Sequence, residues 1–73
     1  MKKFAERLIE LRKEYNISQK AFANAIGVGQ ATVSEWENGI YEPTASAVRA
    51  IAKFFNVSAD YLLQIDDLLK EEI

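Results

Sequence analysis

The chain has 73 residues, no cysteine and no histidine, and a formal net charge of −2. That length supports one small domain, and the missing residue types exclude disulfides, thiolate metal sites and ordinary zinc chemistry. No stretch approaches the roughly 20 apolar residues that span a bilayer, and Met1-Lys2-Lys3 leads into an amphipathic pattern unlike a signal peptide, so a soluble, cytoplasmic protein is expected.

Phe4, Leu8, Leu11 and Tyr15 recur on one helical face, with Ala5 and Ile9 beside them. Residues 2–15 therefore read as an amphipathic helix that stops at Asn16. Ser18 is an N-cap residue for a second helix, about Gln19 to Ile26, because its hydroxyl can accept a bond from an unpaired first-turn amide. That helix is expected to bury Phe22, Ala23 and Ile26 and to end at Gly27, which can adopt the left-handed conformation of a helix terminator. Only Val28 and Gly29 precede the next helical run, Gln30 to Glu37. There Val33 and Trp36 point one way, and Gln30, Ala31 and Ser34 the other. Asn38-Gly39 closes it. After Ile40-Tyr41-Glu42, Pro43 bars continuation and Thr44 caps a fourth helix carrying Val48, Ile51, Ala52 and Phe55. Phe54 falls on the outer side of that helix. Asn56 ends it, Ser58 caps a fifth, and Tyr61 and Leu62 are expected to return to the core. No strand-like alternation, repeat or low-complexity segment appears. The reading is an all-α, compact bundle of about five short helices over residues 1–63, with residues 64–73 as a C-terminal helical extension.

Charge is unevenly spread. Residues 60–73 hold five of the eleven acids and one of the nine bases, which leaves eight Lys/Arg against six Asp/Glu, a formal +2, in residues 1–59. A mildly basic body with an acidic tail permits nucleic-acid binding without requiring it. Two helices joined by a tight glycine-containing turn, the second with one apolar and one small polar face, form a helix-turn-helix pattern. The same turn would also reverse the chain in any small helical bundle.

From Ser18 onward the text is more specific. The stretch SQKAFANAIGVGQATVSEWENGIYEPTASAVRAIAKFFNVSADYLL resembles the Cro/repressor-type (XRE-like) helix-turn-helix family. In that family S-Q opens helix two, W-E-N-G closes helix three, and N-V-S-x-D-Y-L-L forms the last helix. The likeness runs without a gap through nearly all of residues 4–63, and it implies a lambda repressor-like DNA-binding domain with its recognition helix at about 30–37.

Carried over position by position, the resemblance makes Gln30 the base-reading glutamine, a role its amide suits because it can donate to and accept from adenine together. Gln19, eleven residues earlier, would sit against Gln30 and hold a phosphate. Ala31 and Ser34 take the other groove-facing positions, where an alanine methyl can meet a thymine methyl and a hydroxyl can bond a base edge or a phosphate. Thr32, Asn38, Tyr41 and Lys20 are the further phosphate candidates, Lys20 at the positive end of helix two. Lys2, Lys3 and Arg49 are the other cations that could flank DNA. Glu37 matches the family's glutamate and is expected to pair with Arg12. Glu35 stands where many relatives carry a base. Aimed into the groove it could accept from cytosine N4; otherwise it is a solvated acid at the groove's edge.

In the tail, Leu62, Ile65, Leu69 and Ile73 follow helical spacing with Leu68 alongside. Phe54, Ile65, Leu68, Leu69 and Ile73 are therefore the expected dimer contact, and two-fold symmetry would set two recognition helices about 34 Å apart, one DNA turn. The expected function is sequence-specific binding of double-stranded DNA by a bacterial or phage-encoded transcriptional regulator of the repressor type, a homodimer on a palindromic operator. No cofactor, metal, membrane or small-molecule ligand is implied. The alternative is a protein–protein interaction module, antitoxin-like or adaptor, using Ile40 and Tyr41. An enzyme is not expected: there is no phosphate-cradling glycine loop, and Asp66 and Asp67 diverge at adjacent helical positions.

Overall fold

The computed structural model describes residues 2–63, and for Lys2 and Lys3 the backbone alone. Five helices follow one another: α1 (Lys2–Glu14), α2 (Gln19–Ile26), α3 (Gln30–Glu37), α4 (Ala45–Phe55) and α5 (Ala59–Leu63). No strand occurs among the described residues, and no helix there is long and apolar enough to cross a membrane.

Local chemistry sets the boundaries. Asn16 and Asn56 end α1 and α4 in the left-handed region, at φ 53 and 57, where asparagine is among the few tolerated side chains. The Ser18 hydroxyl accepts from the Ala21 amide at 3.0 Å, Thr44 from Ala47 at 3.2 Å and Ser58 from Tyr61 at 3.0 Å, so α2, α4 and α5 each begin on a side-chain cap. Gly27 follows α2 at φ 79, and the next amide, Val28, bonds back to the Ala23 carbonyl at 3.0 Å. A Cβ at Gly27 would meet nothing within 4 Å. The demand for glycine there is conformational, not spatial.

One core joins all five helices: Phe4, Leu8 and Leu11 from α1, Phe22 from α2, Val33 and Trp36 from α3, Ile51 and Phe55 from α4, and Leu62 from α5. Burying each such aliphatic or phenyl side chain is worth about 1.5–3 kcal/mol relative to exposure. Phe22 and Phe55 stack at 5.2 Å between centroids, and Phe4 meets Trp36 edge-on at 6.4 Å. The latter contact ties α1 directly to α3.

Three aromatic residues depart from the expected pattern. Tyr15 lies just past α1 and is 52% exposed, yet its hydroxyl donates to the Phe55 carbonyl at 2.9 Å and its ring meets Phe55 edge-on. A phenol can cover the core with one edge and satisfy a helix-end carbonyl with its tip. Tyr61 is 39% exposed instead of returning to the core, with the Arg7 guanidinium 4.1 Å over its ring. Phe54 is half out, and its ring packs edge-on against Phe22 at 5.4 Å and Phe55 at 5.0 Å.

Candidate nucleic-acid interface

Helices α2 and α3 are separated by Gly27, Val28 and Gly29 alone, so the chain turns sharply and α3 lies across α2. Val33 and Trp36 are buried at 0% and 5% exposure, which fixes the inward face of α3. At 3.6 residues per turn, Gln30, Ala31 and Ser34 must then face outward. Gln30 and Ala31 are exposed, and Thr32, Ser34 and Glu35 half-buried. Asn38 is exposed just past the helix, with its amide nitrogen 3.4 Å from the Ser34 hydroxyl. Lys20 is exposed in the first turn of α2, and Tyr41, 62% exposed, stands in the loop between α3 and α4. The N-terminus of α3 carries no side-chain cap, because Gly29 occupies that position. Its first amides are left to water or to an anion.

The opposite end of α3 is tied down. Arg12 Nε donates to Glu37 Oε2 at 2.6 Å and a second guanidinium nitrogen to Oε1 at 3.0 Å, a two-point fork between α1 and α3. A third guanidinium nitrogen donates to the Ile17 carbonyl at 3.0 Å. The Gln19 amide nitrogen donates to the same Glu37 Oε1 at 3.0 Å, bringing α2 into the network. The side chains of Arg12 and Glu37 are 16% and 6% exposed, so this charge pair lies mostly out of water. The hydrogen bond to Glu37 outweighs burial and raises the Arg12 pKa above its ordinary range. A raised cation loses its stabilising charge only above that range, so the arginine half of the pair persists at every accessible pH.

Gln19 is thus found in a different place from the one expected for it. Its side-chain bond runs to Glu37, not to Gln30, because the second carboxylate oxygen of Glu37 faces the first turn of α2. The sequence carried half of the signal, Arg12 and Glu37 at matched positions. That Gln19 would join them depends on how closely α2 approaches the end of α3. Glu35 forms no ion pair among the described residues.

The expected dimer residues divide into two groups. Ile65, Leu68, Leu69 and Ile73 lie outside the described residues. Phe54 lines a shallow cleft with Ala25, Ile26, Ala50 and Lys53, on the α2 side of α4. Leu63, from which the chain continues, lines a different cleft on the α5 side. Helix α4 stands between them, so Phe54 and the start of the tail do not share one surface.

A short helix pair with a glycine turn, its second helix anchored by one face and presenting the other, defines a helix-turn-helix domain. Residues 8–62 match the helix-turn-helix family HTH_3, and the chain belongs to that family. It is 35% identical over 66 residues to the HTH-type transcriptional activator BcrR of Enterococcus faecalis, a match covering 90% of this chain and 32% of that protein. It is also 35% identical over 75 residues to the cryptic phage CTXphi transcriptional repressor RstR of Vibrio cholerae, covering 96% and 68%. Its fold superimposes with a TM-score of 0.79 on the crystal structure of the P22 c2 repressor protein in complex with synthetic operator 9T. That match has 32% identity and covers 85% of this chain and 94% of the other. The chain thus spans only about a third of the Enterococcus protein. These relatives are transcriptional regulators, and the chain is a domain of that kind, not an enzyme.

Proposed function

We propose that the chain binds double-stranded DNA sequence-specifically, as a homodimer on a palindromic operator, with α3 in the major groove. The observation that carries this reading is the outward face of α3: Gln30, Ala31 and Ser34 make no core contact, while the helix beneath them is fixed by Val33, Trp36 and the Glu37 network. Gln30 reads adenine, Ala31 meets a thymine methyl, and Ser34 and Glu35 reach base edges. Lys20, Gln19, Thr32, Asn38 and Tyr41 position the backbone. The Gln19 amide carries a second hydrogen beyond the one given to Glu37, so it can serve both partners. Residues 1–63 form the binding domain and 64–73 the extension that joins two copies. Repression is the output favoured by the likeness to RstR and to the P22 repressor.

In vitro selection of bound DNA, starting from random duplexes at low salt, tests this reading. The expected product is a symmetric site with half-site centres about 10 base pairs apart. Affinity should fall gently with salt, since each neutralised phosphate adds about 0.9 to the slope and most of the backbone contacts named are uncharged. Ile40 and Tyr41, adjacent and 60% and 62% exposed, favour a second reading, a protein-binding module. Failure to enrich any sequence at any protein concentration would select that reading instead.

A further inference from the structure

The cleft on the α5 side of α4 is the most apolar concavity among the described residues that the DNA-binding reading does not use. It encloses about 460 Å³ and is lined by Ala45, Val48, Arg49, Ala52, Ala59 and Leu63. Three alanines leave it open, and Arg49 supplies its only charged side chain. A small ligand would find little there to orient it, since such sites add several converging polar groups to an apolar lining. An amphipathic segment needs only an apolar trough with a charge at its rim.

The chain itself carries such a segment. Immediately after Leu63 come Ile65, Leu68, Leu69 and Ile73, interleaved with Asp66, Asp67, Glu71 and Glu72. Their spacing predicts one apolar helical stripe flanked by acids, complementary in both polarity and charge to a trough rimmed by Arg49. We infer that the trough between α4 and α5 receives residues 65–73 of a second copy, each chain giving its tail to the other about a two-fold axis. This rests on the reading of the protein as a dimer.

A second copy is favoured over the chain's own tail by the sequence at the exit point. Leu63 already forms part of the trough's wall, so a self-docking tail would have to reverse at once. Residues 64–73 contain no glycine, proline or asparagine to make that reversal, and Ile65, Leu69 and Ile73 continue the helical period of Leu62. The trough contains no residue of α2 or α3. Association there leaves the outward face of α3 uncovered.

Sedimentation equilibrium of the full chain tests the assignment. The wild-type chain should show twice the monomer mass at high micromolar concentration, and Ala59→Glu, placing an acid in the trough opposite the acidic tail, should show the monomer mass. Circular dichroism should report unchanged helicity, because Ala59 is exposed. Should Ala59→Glu lose helicity, Arg49→Glu decides, since it alters an exposed rim side chain: dimer dissociation should increase several-fold. A dimer indifferent to these substitutions would overturn the trough as the docking site while leaving the dimer standing. A wild-type chain of monomer mass throughout would overturn the dimer reading itself, and this assignment with it.

Discussion

Helices α3 and α4 are specified in opposite ways. Helix α4 carries its own instructions: eleven residues, a threonine cap at one end, a left-handed asparagine at the other, and four buried side chains, Val48, Ile51, Ala52 and Phe55. Helix α3 has eight residues, no side-chain cap and two buried side chains. It is too short to be stable alone, since isolated helices below about 12–15 residues are marginal. What it lacks is supplied from outside, by Phe4 against Trp36 and by Arg12 and Gln19 against Glu37. The difference shows how a helix can be left with a free face. Because neighbours hold α3 by its inner side and its last turn, its outward side chains have no part in folding and can be chosen for another task.

The largest effect that could break this contrast is at Arg12. Replacing it with alanine strands a carboxylate that is only 6% exposed, and should cost about 3–5 kcal/mol of stability in urea denaturation. Arg49→Ala, which removes an exposed cation from α4, should stay within about 0.5 kcal/mol. Equal losses at the two positions would mean that α3 does not depend on its outside support.

A smaller effect separates the helix starts. Thr44→Ala removes the α4 cap and should cost about 1 kcal/mol, whereas Gly29→Ser adds a hydroxyl where α3 has none and should gain only a few tenths. Chemical denaturation of both variants would sharpen the comparison. A large gain at Gly29 would mean that the uncapped start of α3 limits the whole fold.

The same contrast explains what could be read from the sequence. Ser18, Thr44, Ser58, Asn16 and Asn56 announced the helix ends because capping is local chemistry, settled within a few residues. The α4 face was legible for the same reason, as was the division of α3 between Val33 and Trp36 and its outward residues. The position of Gln19 was not, because it depends on two helices meeting. Tyr15 and Tyr61 were misplaced toward the core since periodicity treats a phenol as an apolar ring and ignores its hydroxyl and its affinity for a cation. Phe54 followed its period to the outside, but its ring folds over Phe22 and Phe55, and only the packed structure sets it apart from the tail.

The central claim is that the outward face of α3 is free of folding duty and reads bases, and Gln30 tests it most directly. Selection of bound DNA by the Gln30→Ala chain, beside the wild-type chain, should relax preference at one base pair in each half-site. That loss should correspond to about 1–3 kcal/mol, with the rest of the site intact. An unchanged set of selected sequences would contradict the account.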